Sequence, residues 1–458
     1  MQVPLTDQKT KMPVLIAVIF YLTVFFYLTF PKAGIKIEGI PVTIGDLLFL
    51  LLILFCLTKI TYWRETFNQF KVVVALLISS LFYILLKLGF SYWHYDLLSV
   101  GTIVPLLIYP AILLILLLFY CHYDIPWKKL LLIPVAAFVI LSVYALLQYF
   151  LGVENVMVPG LTYNWTDAQN PQILMTKHNF YGHYTKIFST YQNGNIFGVN
   201  LLLIFPLVFE LIYRRRKILG YIALAFFITV AFLSASRAVW AGVIFYVLIR
   251  FFLLKKGWGK LLVVFPLSLI SALLLFSESL RFRANLLLGK EVIPQLIKLP
   301  AVDKTVKLAG GGGETWAQNH LVTEPQITDL SGRGGRLYKL WDATFGALNW
   351  EAIFVGPYGV LPRGSYGISG EMVYMTLFAY LGLIGLILWL LPILFSLYNF
   401  FKLRNDFILQ GILLGLVSYF FVASIEGAYW LSPTAFNLWF IIGIGWIRWH
   451  YLKATNGA

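Results

Sequence analysis

Apolar runs of membrane-crossing length recur along this chain, and they dictate most of what it can fold into. A run of about 18 or more mostly apolar residues reads as a transmembrane helix, because inside a bilayer only helices and closed barrels satisfy every backbone polar group. Such runs occupy residues 12–30, 43–60, 72–90, 102–121, 130–151, 195–213, 218–235, 237–254, 260–277, 372–394, 407–425 and 434–449. The predicted fold class is therefore an all-α polytopic membrane protein of about 12 transmembrane helices. Composition agrees: 60% of residues are hydrophobic and 12% charged, against about 25% charged in soluble domains. The first run follows Lys9 and Lys11 with no small-residue cleavage site after it, so it is expected to be a retained helix. Cys56 and Cys121 fall in or beside predicted spans without a CxxC partner; they read as core thiols, and no metal centre is expected.

One long polar interruption divides the pattern. Between residues 277 and 370 the apolar runs stop, and arginines, acids and the run Gly310–Gly313 take over. The organisation predicted is residues 1–277 with nine transmembrane helices and an outer loop at 152–194, a large extracytoplasmic catalytic loop at 278–371, and three C-terminal transmembrane helices at 372–458. The net charge of +15 raises the question of nucleic acid, but its distribution answers it. One set of alternate connections, including Arg214–Lys217, holds nineteen lysines and arginines, against five (Lys32, Lys36, Lys177, Lys186 and Arg237) in the short connections of the other set. The positive-inside rule then places both termini in the cytoplasm and the long loop outside. No nucleic acid partner is expected.

The outer segments hold the candidates for chemistry. Arg237, in Leu233-Ser-Ala-Ser-Arg237-Ala-Val-Trp240, reads either as a snorkelling anchor or as a cation facing a cavity that holds an anion. In the long loop, Ser331-Gly-Arg333-Gly-Gly-Arg336 and Arg363-Gly364 set glycines beside guanidinium groups. That pattern lets backbone approach a ligand while paired donors match phosphate oxygens; the bland reading is solvated loop charge. Gly310–Gly313 lacks the Lys-Ser/Thr of a phosphate loop and reads as a hinge. Glu371, at the entry to a span, suits a carboxylate base or a helix cap. His178 and His183 are alternative bases or hydrogen-bonded loop residues. Outer aromatics such as Tyr163 and Trp165 fit interfacial anchoring as well as stacking on sugars. Short amphipathic helices are expected near 287–299 and 336–348.

Several motifs, taken in order, resemble the bacterial O-antigen polymerase and ligase superfamily. They are Thr190-Tyr-Gln-Asn-Gly-Asn195-Ile-Phe-Gly198, the Ser-Ala-Ser-Arg turn, the segment from Arg336 to Trp341, Glu371-Met-Val-Tyr374 and Leu381-Gly-Leu-Ile-Gly-Leu386. The resemblance covers roughly residues 181–386. It implies a GT-C-like membrane glycosyltransferase with one large extracytoplasmic loop, in a bacterial cytoplasmic (inner) membrane. The implied reaction moves a growing glycan from undecaprenyl diphosphate to a lipid-linked repeat unit, as in O-antigen, capsule or exopolysaccharide polymerisation. It implies no cofactor and no metal. Implied partners are the undecaprenyl-diphosphate-linked glycan, the lipid bilayer and a membrane protein that regulates chain length. Arg237 and Arg336 match the family's diphosphate-holding arginines, with Arg333 and Arg363 grouped beside them.

Within that superfamily, ligases carry a His-Asn pair where this chain has Gly370 and Glu371, so the polymerase is the first expectation. An O-antigen ligase or a protein O-oligosaccharyltransferase is the second. A transporter or flippase of about twelve helices is the rival from another class; it would show two matched halves, whereas the large loop here follows the ninth predicted span.

Overall fold

The computed structural model describes residues 9–37, 40–91, 105–164, 180–181, 184–191, 193–253, 354, 373–424 and 433–456. These residues are mostly helical, and every predicted apolar run that falls among them is a helix. The run at 260–277 lies outside them. Four helices are long and apolar enough to cross a membrane by length and composition: Pro105–His122, Leu132–Leu151, Gly194–Arg215 and Leu381–Lys402. The chain is a membrane protein built of helices.

The helices used below are α1 (Val14–Thr29), α2 (Ile44–Leu57), α3 (Ile60–Gln69), α4 (Lys71–Ser91), α5 (Ala111–His122), α6 (Leu132–Leu151), α7 (Gly194–Arg215), α8 (Lys217–Leu233), α9 (Arg237–Leu253), α10 (Val373–Lys402), α11 (Phe407–Ala423) and α12 (Thr434–Asn456). Between α1 and α2 an antiparallel hairpin pairs β1 (Gly34–Ile37) with β2 (Ile40–Thr43), in the register Gly34 to Thr43. Thr43 then caps α2: its hydroxyl accepts from the Asp46 backbone N–H at 3.1 Å and donates to the Asp46 carboxylate at 2.6 Å. Tyr27 donates to the other Asp46 oxygen and stacks on Phe436, ring centroids 3.8 Å apart. Asp46 thereby joins α2 to α1, and Tyr27 carries the link on to α12.

Helix α7 is apolar on every side, which marks a helix enclosed by others. Residues Ile196 through Glu210 are all buried. Its closest neighbour is α11, and the sequence reason is Gly411-Ile-Leu-Leu-Gly415. Small residues four apart let two backbones touch where apolar side chains give helices no net reason to prefer each other over lipid. A β-carbon at Gly415 would lie 2.4 Å from the Leu203 carbonyl oxygen, and one at Gly411 would lie 2.8 Å from the Leu207 Cα. By contrast α2 turns Leu47, Leu50, Leu51 and Leu54 outward, each about half exposed, a surface that suits lipid and not water.

Two buried or half-buried ion pairs stand out inside the bundle. Arg250 of α9 and Glu210 of α7 form an ion pair, with both side chains buried and the guanidinium 4.5 Å from the Phe209 ring centroid. Read from the sequence, Arg250 belongs to the basic connection after α9; the fold draws it back into the bundle because Glu210, more than four turns into α7, offers a buried countercharge. Arg448 grips Asp406 through two bonds of 3.1 and 2.6 Å, while the same carboxylate caps α11 by accepting from Ile408 and Leu409. Cys56 and Cys121 are buried and free, as expected of core thiols, and the Cys121 thiol donates to Gln69 at 3.2 Å.

Candidate functional site

Two of the sequence motifs that lie some forty residues apart meet at one end of the bundle. The segment Lys186–Tyr191 leads into α7, and the turn Leu233–Ser236 links α8 to α9. The Ile187 backbone N–H donates to the Leu233 carbonyl at 3.2 Å. A β-carbon at Gly194 would come within 2.6 Å of the Ser234 carbonyl oxygen and 3.2 Å of the Ile187 carbonyl oxygen. Further along, Gly198 faces Val239 and the Ser234 hydroxyl. The N-termini of α7 and α9 therefore lie side by side.

Non-helical backbone inside an apolar bundle is tolerated only where each polar group finds a partner, and here they do. Gln148 of α6 accepts from Ser189 N–H at 2.7 Å and Phe188 N–H at 3.3 Å, and donates to the Ser189 carbonyl at 2.9 Å. Thr190 donates to the Thr29 carbonyl, and the Tyr191 hydroxyl to that of Leu28 at 2.8 Å. Ser189 takes a positive φ of 51° that this bonding holds in place. Asn193 then caps α7, its side-chain oxygen accepting from Asn195 and Ile196. The fixed polar chemistry of Gln148 and Ser189 thus shapes the loop, and neither residue carried a signal of its own in the sequence.

The Ser-Ala-Ser-Arg turn is held equally firmly. Ala235 has φ of 50°. The Ser234 hydroxyl donates to the Ala231 carbonyl at 2.6 Å, Val239 N–H donates to the Ser236 hydroxyl, and Trp240 donates from its indole to the Phe232 carbonyl at 3.1 Å while stacking on the Phe232 ring. Arg237 is the first residue of α9 and is half-buried. A cation there opposes the helix dipole, whose N-terminal end is already positive.

Close by, Lys186 is buried and donates to the Asn195 side-chain oxygen at 3.4 Å. Its position was read from sequence only as one of the sparse basic residues of an outer connection; what identifies it is its place just ahead of Thr190–Gly198. Lys186 and Arg237 thus stand on the two segments that meet at the N-termini of α7 and α9, and helix N-termini are places where an anion such as a phosphate can bind.

The other sequence candidates are distributed differently. His178, His183, Arg333, Arg336, Arg363 and Glu371 lie outside the described residues, as do Trp165 and the stretches at 287–299 and 336–348. Tyr374, the last residue of Glu-x-x-Tyr, donates to the Phe420 carbonyl at 3.0 Å and so ties α10 to α11. The Leu-Gly-Leu-Ile-Gly stretch has a packing role: α10 breaks at Gly382, where φ is 68°, the Tyr83 hydroxyl of α4 reaches the Leu381 carbonyl at 2.9 Å, and Gly385 makes room for the Tyr83 ring. Tyr163 is buried, and desolvation raises its phenol pKa; it packs within the fold and does not offer its face to a sugar. No group of three or more metal-ligating side chains gathers among the described residues. No protein-family model matches this chain, and no protein of curated function matches it.

Proposed function

We propose that this chain is a bacterial polysaccharide polymerase that transfers a growing glycan from undecaprenyl diphosphate to a lipid-linked repeat unit outside the cytoplasmic membrane. The observation that carries the reading is the meeting of the segment that leads into α7, which holds Lys186, with the turn that leads into α9, which holds Arg237, so that two helix N-termini lie side by side with a cation on each segment. Both motifs belong to the stretch that resembles the O-antigen polymerase and ligase superfamily, and their convergence is what a shared diphosphate site requires.

In the proposed reaction an acceptor sugar hydroxyl attacks the anomeric carbon of the donor glycan. The new glycosidic C–O bond forms as the bond from that carbon to the diphosphate oxygen breaks, and undecaprenyl diphosphate leaves with the electron pair. Positive charge is needed where the leaving phosphate gains charge, the role assigned to Arg237 with Lys186, Arg333, Arg336 and Arg363. A general base takes the hydroxyl proton; Glu371 is assigned that task, with His178 and His183 as the next candidates. The leaving group is a stable anion, so no general acid is invoked.

The architecture proposed with it has about 12 spans, both termini in the cytoplasm and the 278–371 loop over the outer mouth. The test is the glycan of a strain lacking this gene. Single repeat units left on the lipid carrier support the polymerase. Full-length chains that fail to become attached identify a ligase, and an unchanged glycan rejects glycosyl transfer in favour of transport.

A further inference from the structure

At the opposite end of α7 lies a second feature, independent of the glycan site. The last turn of α7, the start of α8 and the N-termini of α6 and α11 line an open cavity of about 410 Å³, within the size range of ligand clefts. Arg214, Arg215 and Arg216 form one side of it, and the rest is apolar, with Leu132, Leu219 and Phe407 among the walls. We propose that this cavity binds the headgroup and upper acyl chains of an anionic diacyl phospholipid.

Three observations point to that occupant. The neighbouring acids are already engaged, Glu210 by Arg250 and Asp406 by Arg448, and among the described residues no carboxylate forms an ion pair with the three arginines. Next, the apolar side opens outward: Leu132 is 53% exposed, Leu219 46% and the adjacent Ile218 75%. A water-soluble anion would have no use for such walls, and a neutral apolar ligand none for the arginines. A phosphodiester carrying acyl chains uses both. Finally, the arginines stand in one of the two most basic connections of the short-loop set, at the end of a helix long and apolar enough to cross a membrane. Cations in the last turn of a helix also complement its dipole, but that role does not call for an apolar cavity beside them.

The test is native mass spectrometry of the full-length chain titrated with phosphatidylglycerol and, separately, with phosphatidylcholine of the same acyl chains. Each arginine near an anionic headgroup is worth roughly fivefold in binding, so phosphatidylglycerol should be retained about tenfold or more in preference to phosphatidylcholine. The triple variant R214Q/R215Q/R216Q should lose that preference. Leu219→Trp keeps every charge and fills the apolar wall at a half-exposed position that can accept it; it should also lower phosphatidylglycerol retention, and inorganic phosphate should not compete. Equal retention of the two lipids by the wild type overturns the proposal. So does a folded triple variant that binds as the wild type does, or a Leu219→Trp variant whose binding is unchanged, since either would reduce the cluster to surface charge.

Discussion

Gly194 and Ser234 touch backbone to backbone: a β-carbon on Gly194 would stand 2.6 Å from the Ser234 carbonyl oxygen. That contact fixes the distance between the two motifs, so the smallest substitution there is informative. Gly194→Ala must push the α8–α9 turn away, an overpacking that costs about 1–3 kcal/mol. The variant should reach the membrane with a lowered thermal midpoint in detergent and should make shorter glycans. An unchanged midpoint would mean the two backbones are not in contact.

Arg237 is assigned to the leaving diphosphate. Charge-assisted hydrogen bonds are worth about 1.5–3 kcal/mol, so Arg237→Gln should lower polymer output by about tenfold or more. Arg237→Lys keeps the charge and loses the fork, and should also be impaired. Lys186→Met should add to the defect, since Lys186 lies beside the same α7 terminus. Wild-type glycan from Arg237→Lys at normal abundance would remove the clamp.

Arg250 and Glu210 offer a test of the bundle separate from any activity. Removing one partner leaves the other charge buried and alone, which destabilises by about 3–5 kcal/mol. Arg250→Met and Glu210→Met should therefore each lower the thermal midpoint in detergent markedly. Arg250→Met combined with Glu210→Met should recover much of the loss, because neither charge then remains to be desolvated. Additive losses in the double variant would show that the two side chains do not interact.

Most helices were legible in the sequence because hydrophobic length alone sets them: all of α1 through α12 fall where apolar runs do except α3, which lies between two runs and carries Arg64, Glu65 and Gln69. Helix neighbours were not. Gly411 and Gly415 mark where α11 meets α7, yet only the fold shows that Leu203 and Leu207 receive them. Arg250 looked like loop charge, since its partner Glu210 is forty residues away. The candidate site divides in the same way: Arg237 and the run Thr190–Gly198 were readable as residue types in a pattern, while the burial of Lys186 and the clamp by Gln148 depend on helices brought together from distant parts of the chain. Conversely, Gly382 and Gly385, read as part of a run that resembles the superfamily, have packing roles: Gly382 breaks α10 and Gly385 makes room for the Tyr83 ring.

Glu371 lies outside the described residues, at the entry to a span predicted from the sequence, and that setting suits both a helix cap and a base. Substitution separates the two. Gln keeps the shape and loses the basicity, whereas Asp retains a carboxylate and capping ability. Glu371→Gln should accumulate in the membrane at normal levels and make little or no long glycan. Wild-type chain lengths from that variant would return Glu371 to a capping role and move the test to His178 and His183.

The central claim is glycosyl transfer from a lipid diphosphate, and reconstitution measures it directly. Purified full-length chain in vesicles would be given lipid-linked repeat units extracted from the deletion strain, with no nucleotide sugar added. The account predicts a ladder of longer glycans together with release of undecaprenyl diphosphate in step with each bond formed, both reduced about tenfold or more by Arg237→Gln. Repeat units that stay single, with no undecaprenyl diphosphate released by a protein that is folded and inserted, would contradict it.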